Sequence, residues 1–227
     1  MPVILAIDSS TETLALALVT PDGVQAAELD GGAQASSQAL PQAQALVAKA
    51  GLRLADLDAI AYGQGPGAFT GLRTACAVAQ GLAFGLDKPV LAVDSLMLVA
   101  QDAHRQGAGD DLWVAMDARI GEIYAAHYRL TPQGWTVLDA PALYAPAALR
   151  AHWGQPAAVA GTALTAYAEA LGPVASPWPQ AHSRAQALGT LALAAWARGD
   201  LRDAAEALPV YVRDKVALTT AEREQRA

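Results

Sequence analysis

The residues whose types and spacing best suit chemistry lie in one loop, Gly63-Gln64-Gly65-Pro66-Gly67-Ala68-Phe69-Thr70-Gly71-Leu72-Arg73. Gly63, Gly65 and Ala68 match a G-x-G-x-x-A dinucleotide fingerprint, in which glycines let the backbone approach a pyrophosphate, and Asp94 closes the following strand. Two features oppose that reading. The helix is expected to begin at Thr70, after the third motif position, and Pro66 removes an N–H that would face the phosphate. A Walker-type loop is excluded because no Lys-Ser or Lys-Thr follows the glycines. Thr70 instead reads as an N-cap, and Arg73 falls near N3, where a cation opposes the helix dipole and calls for an anionic partner.

Two carboxylates draw the same question. Asp8 and Asp117 each end an apolar strand and would hold a metal–nucleotide if they faced each other across two lobes. The turns after them lack phosphate-cradling glycines, so capping those turns is the preferred reading. The histidines, His104, His127, His152 and His182, show no i, i+4 pair and no nearby cysteine, and no metal site is expected. There is no G-x-S-x-G elbow, and neither Ser9 nor Ser95 has a histidine close in sequence. Cys76, the sole cysteine, sits inside an apolar helical run and reads as core.

The elements that position these residues follow from periodicity. Val3 to Ile7, Thr13 to Val19 and Val24 to Leu29 read as three strands of an antiparallel meander, the last two joined by Pro21-Asp22-Gly23. Gln38 to Ala50 has helical spacing and ends at Gly51. Ala59 to Tyr62, a helix from Thr70 to Leu86 and Val90 to Val93 form a βαβ unit, hence parallel neighbours. From Gly71 to Leu86 the strongly polar side chains are Arg73 and Gln80, so that helix must be covered on more than one side. Ser95 to Gln106 is a further helix, and the segment 106–110 is small and polar enough to divide two lobes, 1–107 and 108–227.

A second set of strands then begins: Leu112 to Met116, Glu122 to Tyr128 and Trp135 to Leu138. Each set opens on an apolar strand ending in Asp, with Glu12 or Glu122 soon after, which fits a duplicated lobe. The remainder reads as helices at Pro146 to Trp153, Thr165 to Leu171 and Arg184 to Arg198, a strand at Ala157 to Ala160, a proline-rich loop between Pro173 and Pro179, and an edge segment at Leu208 to Val212. Thr219-Thr220-Ala221-Glu222 has capping-box spacing.

Composition narrows the function classes. With 53% hydrophobic and 16% charged residues the chain is globular rather than disordered. A net charge of −7 argues against direct binding of a nucleic-acid phosphate backbone. A single cysteine and a start without a basic n-region point to a cytoplasmic setting, and no run is apolar and long enough to span a bilayer.

Taken together, Ile4-Leu5-Ala6-Ile7-Asp8-Ser9-Ser10-Thr11-Glu12, the Gly63 to Arg73 loop, Asp117-Ala118-Arg119-Ile120-Gly121-Glu122-Ile123-Tyr124 and Pro209-Val210-Tyr211-Val212-Arg213 resemble the TsaB (YeaZ) family, in order over nearly the whole chain. The resemblance implies a two-lobe, actin-like and Hsp70-like α/β fold (ASKHA) with mixed sheets flanked by helices. It also implies a non-catalytic role in making threonylcarbamoyladenosine in tRNA, beside a TsaD paralogue that carries out the transfer, a TsaE ATPase and the adenylate-forming TsaC. On that reading the chain alone binds no cofactor, a nucleotide at the TsaD interface stays open, tRNA is met only through the complex, and the free chain is a homodimer. The resemblance places pairing on the N-lobe helices, here Leu40, Ala43, Leu46, Val47, Leu72, Ala75, Cys76, Ala79, Leu82 and Ala83. Thr70, Arg73, Asp8 and Asp117 are the residues to watch for anions. The second reading is a stand-alone nucleotide-dependent enzyme or peptidase of the same fold.

Overall fold

The computed structural model describes residues 1–213; the capping-box spacing at Thr219-Thr220-Ala221-Glu222 lies outside the described residues. Strands β1 (Ile4–Asp8), β2 (Thr13–Thr20) and β3 (Gly23–Asp30) form the expected meander. Helix α1 (Ala35–Lys49), strand β4 (Ala59–Gly65), helix α2 (Phe69–Leu86), strand β5 (Val90–Asp94) and helix α3 (Ser95–Arg105) follow. β4 lies parallel to both β1 and β5, so the sheet order is β3-β2-β1-β4-β5. β1 and β2 are buried on both faces, which is why they read as unbroken apolar runs rather than alternating ones.

The second half repeats the plan. Strands β6 (Asp111–Asp117), β7 (Ile123–Thr131) and β8 (Gly134–Tyr144) form a meander, then helix α4 (Pro146–Trp153), strand β9 (Val159–Ala160), short helices α5 (Ala163–Ala166) and α6 (Ala168–Leu171), strand β10 (Pro177–Trp178) and helix α7 (Arg184–Arg198). Its order is β8-β7-β6-β9-β10, with β9 parallel to both neighbours. The likeness between the openings at Asp8 and Asp117 is thus the start of a full topological duplication.

Five layers result. α1 and α2 cover the outer face of the first sheet, where Leu5, Ile7, Leu14 and Leu16 meet Ala39, Ala43 and Val47. α4, α5 and α6 cover the outer face of the second, around Trp113, Leu149 and Trp153. α3 and α7 fill the space between the sheets. Although it follows the second set of strands, α7 packs on the first sheet, with Leu188, Leu191 and Ala192 against Ile4, Ala17 and Leu91. Close approach demands Gly189, where a Cβ would fall 2.5 Å from Val24 Cγ1. Residues 201–213 then run back along α2, beginning with a bridge between Val90 and Arg202. Among the described residues no helix is long and apolar enough to cross a membrane.

Several boundaries differ from the sequence reading. α1 begins at Ala35 and carries Pro41 within its first turns. α2 begins at Phe69 with Ala68 as its N-cap, because the loop backbone is already fixed there by Ala68 N–H donating to Ser10 O at 2.7 Å. The helix expected over Thr165 to Leu171 is two four-residue helices, and the proline-rich loop contains β10. Leu208 to Val212 forms no regular strand; Val210 N–H reaches the Gln64 carbonyl at 2.7 Å.

Candidate functional site

Everything at the centre of the molecule converges on the turn after β1. Asp8 is fully buried: its Oδ1 accepts from Ser10 Oγ at 2.8 Å and from Arg184 Nη2 at 3.1 Å, and its Oδ2 accepts from Ser95 Oγ at 2.8 Å. Ser95 Oγ in turn accepts the Gly65 N–H at 3.0 Å, and Ser9 Oγ donates to the Gly71 carbonyl at 2.7 Å. One turn therefore ties together the glycine loop and the first residues of α2, α3 and α7. The glycines are there because nothing larger fits. A Cβ at Gly63 would fall 1.8 Å from Asp8 Oδ2, and one at Gly71 1.7 Å from Ser9 O.

The hydrogen bonds of this hub tie segments together. The Ser10 and Ser95 hydroxyls donate to a carboxylate paired with Arg184, and among the described residues no imidazole is hydrogen-bonded to either. Asp94 caps α3 by accepting from Leu96 N–H at 2.8 Å and binds the Tyr128 hydroxyl at 2.7 Å, joining the halves. Burial pushes the Asp94 carboxyl up from its ordinary value, although the Tyr128 hydroxyl and the Leu96 and Met97 N–H groups pull the other way.

Above the hub, a cleft of about 530 Å³ opens between the sheets, lined by Ser10, Phe69, Leu96, Tyr124, Arg184 and Arg213 among others. Its far wall is the loop after β6, where Arg119 and Ile120 both take left-handed φ (64° and 55°), costly for a β-branched side chain. Arg213 pins that loop, its Nη2 donating to Ala118 O at 2.9 Å and to Glu122 Oε2 at 2.7 Å. Arg119 reaches over the cleft to Glu12 at 3.3 Å.

The second candidate surface is the outer face of α1 and α2. Across both helices Lys49 and Arg73 are the only charged side chains. Ala77, Gly81, Phe84 and Gly85 are exposed along α2, Phe84 at 83%, and Leu40 is exposed on α1.

A family model described as TsaD: tRNA N6-adenosine threonylcarbamoyltransferase matches residues 32–220. A solved structure of YeaZ from Pseudomonas aeruginosa superposes with a TM-score of 0.84 at 37% identity, covering 93% of this chain and all of that one. The chain belongs to the TsaB/YeaZ family. A second Pseudomonas aeruginosa structure, described as similar to peptidase YeaZ, gives a TM-score of 0.86 at 36% identity over 94% of this chain and 100% of its own. The Escherichia coli tRNA threonylcarbamoyladenosine biosynthesis protein TsaB is 40% identical over 131 residues, 58% of this chain and 57% of that protein. The chain thus spans just over half the length of the curated relatives it matches. The two mixed sheets with flanking helices are the actin-like arrangement that the family resemblance implies.

Most of the expected site residues are not at the surface of the free chain. Ala43, Leu46, Val47, Leu72, Ala75, Cys76, Ala79 and Ala83 are buried within the chain, and Leu82 is half-buried. The cover that α2 requires comes in large part from residues 204–208: Cys76 Sγ lies 2.8 Å from Ala207 O, and Gln80 Nε2 donates to Ala204 O at 3.2 Å. Only Leu40 of the set is openly exposed. Thr70 lies inside the first turn of α2 and is not its cap. Arg73 finds no anion among the described residues; it lies 3.9 Å over the Phe69 ring and donates to Tyr211 Oη at 3.0 Å. Asp8 is in the hub, whereas Asp117 closes its own turn, accepting from Arg119 N–H at 2.8 Å and Tyr167 Oη at 2.8 Å. Gly63 faces Asp8 rather than a phosphate, and Asp94 is a helix cap, so the fingerprint match has no site behind it. Arg184 was missed, yet a signal existed: a cation in the first turn of a helix opposes the dipole and needs a partner.

Proposed function

We propose that this chain acts in tRNA threonylcarbamoyladenosine biosynthesis as a non-catalytic subunit pairing with a TsaD-like paralogue. That paralogue transfers the threonylcarbamoyl group to adenosine beside the anticodon of tRNAs reading A-starting codons. Support comes from the names of the TsaB relatives and, in the molecule, from the charge-poor outer face of α1 and α2. That face is the observation that carries the reading. A chain of net charge −7 keeps acidic residues off two adjacent surface helices and leaves Phe84 bare beside small residues, the pattern of an interface core rather than of a solvated surface. In the absence of the paralogue a second copy takes the same face. A TsaE-like ATPase and tRNA are engaged through the complex, and any nucleotide belongs to the TsaD interface. The hub supports the non-catalytic part of the reading, since the Ser10 and Ser95 hydroxyls are spent on Asp8 and that of Ser9 on the Gly71 carbonyl.

The test is co-purification with TsaD of the same organism and reconstituted tRNA modification. Ala77→Glu, on the exposed stripe, abolishes both while shifting the stability of the free chain by no more than about 0.5 kcal/mol. Survival of pairing and modification in that variant, or turnover by the pure chain alone, would overturn the proposal. Ala79 is the wrong probe, because it is wholly buried and a charge there attacks the fold itself.

A further inference from the structure

Among the described residues, the buried side-chain polar atoms without a hydrogen-bond partner are Arg184 Nε, Arg184 Nη1 and Arg213 Nε. All three are donors, and both arginines line the cleft between the sheets. Buried donors without acceptors are costly, so their concentration in one cavity requires a cause. Arg184 is only 5% exposed, and its Nη2 is occupied by Asp8 and Ser10.

The carboxylates around the cleft are already engaged: Asp8 by Ser10, Ser95 and Arg184, Asp117 by Arg119 and Tyr167, Glu122 by Arg213. Glu12 projects outward, its side chain 77% exposed, and pairs with Arg119. The same wall carries the N-terminus of the 18-residue helix α2, whose cap, Ala68, offers no side-chain acceptor. Of its first turn Phe69 lines the cleft, and the Phe69 N–H precedes the first internal hydrogen bond of the helix, Leu72 N–H to Ala68 O at 2.9 Å. The unpartnered buried atoms of the cavity are thus all donors, and Leu96, Val99 and Tyr124 form an apolar part of its wall.

We propose that this cleft binds a small organic oxyanion, its charged end on the free N–H groups of Arg184 and the start of α2 and its apolar end on Leu96, Val99 and Tyr124. A cavity of about 530 Å³ has room for one ring and one anionic group. A carboxylate and a phosphate satisfy these donors alike, and the titration separates them. Arg73, the anion candidate suggested by helix position, takes no part, because it is turned onto Phe69 and Tyr211. The site is distinct from the outer face of α1 and α2, so each proposal stands or fails alone.

The test is a heteronuclear NMR titration of the full chain with phenyl phosphate, benzoate and the neutral benzyl alcohol. One or both anions give saturable shifts around Arg184 and Leu96 and bind at least about tenfold more tightly than the alcohol. The tighter anion identifies the class. Arg184→Lys, which keeps a cation for Asp8, weakens anion binding about tenfold. Ala181→Trp, at the exposed rim of the cleft, blocks it while leaving the Arg184–Asp8 pair in place. Absence of saturable shifts with both anions, equal binding of the alcohol, or unaltered binding in Ala181→Trp overturns the proposal.

Discussion

The two halves share strand order and direction but are built for different work. In the first, β4 has seven residues and the crossover helix α2 eighteen; in the second, β9 and β10 have two residues each and the crossover is broken into α5 and α6, four residues apiece. The turn carboxylates diverge in the same way. Asp8 is sealed among four chain segments, while Asp117 serves its own turn and keeps some contact with solvent. A long crossover helix gives the first half a continuous outer helical face, whereas short pieces cover the second. The continuous helical face of the first half is the one the proposed pairing uses.

The largest effect should come from closing the space that lets α2 dock. At Gly71 the atom in the way is the backbone oxygen of Ser9, which cannot move aside, so Gly71→Ala is expected to cost about 5 kcal/mol or more. Urea unfolding monitored by circular dichroism measures this. A loss below about 1 kcal/mol would mean that the hub does not hold the helix in place.

Next come the paired carboxylates. Asp8→Asn leaves Arg184 buried beside a neutral side chain, and removing one partner of a buried pair costs about 3–5 kcal/mol. Asp117→Asn loses hydrogen bonds in a half-open turn and should cost about 1 kcal/mol. Equal losses, measured by the same unfolding assay, would erase the distinction drawn between the turns.

How far this was legible in the sequence depends on the range of the interaction. The meander, the βαβ unit and the limits of α4 and α7 follow from local period and punctuation, and the structure reproduces them. The repeat of Ile7-Asp8 in Met116-Asp117 was a faint signal of a complete duplication. What local pattern cannot supply is the covering of α2, because its partners at 204–208 lie more than a hundred residues away. Much of the apolar side of α2 is core within this chain, and an apolar helical run by itself does not distinguish core from interface. Arg184 and Tyr211 escaped for the same reason, since their contacts with Asp8 and Arg73 span 176 and 138 positions.

Acid and base should separate the halves next. Burial raises the folded pKa of Asp94, so its ionised form is penalised in the folded chain. That penalty is absent below the unfolded value of about 3.9 and grows as pH rises from there through the raised folded value, which makes Asp94 favour the folded state on acidification. At Asp111 burial also pushes upward, but hydrogen bonds from His127 and Arg129 outweigh it and hold the pKa low. Its stabilisation is present above about 3.9 and lost as pH falls through the depressed folded value. Unfolding free energies between pH 3 and 8 should show Asp94→Asn gaining on the parent as pH rises and Asp111→Asn losing to it. Parallel pH profiles for the two variants would contradict the opposite signs.

The smallest effect is the most specific to the partner face. Beyond the helix's own nearby backbone and its chain neighbours, no described atom lies within 4 Å of where a Cβ would stand at Gly81, which sits mid-helix on the exposed stripe. Gly81→Ala removes the backbone freedom of glycine from the unfolded chain and should stabilise the free protein by about 0.5–1 kcal/mol. An interface that uses the small residues of α2 to bring another helix close loses that approach when a methyl is added, so pairing should weaken while stability rises. No single structural defect moves the two quantities in opposite directions, because a damaged fold lowers both. Calorimetric affinity for the TsaD-like partner, set beside the unfolding free energy of the same variant, decides it: a gain in both would place the contact elsewhere on the surface.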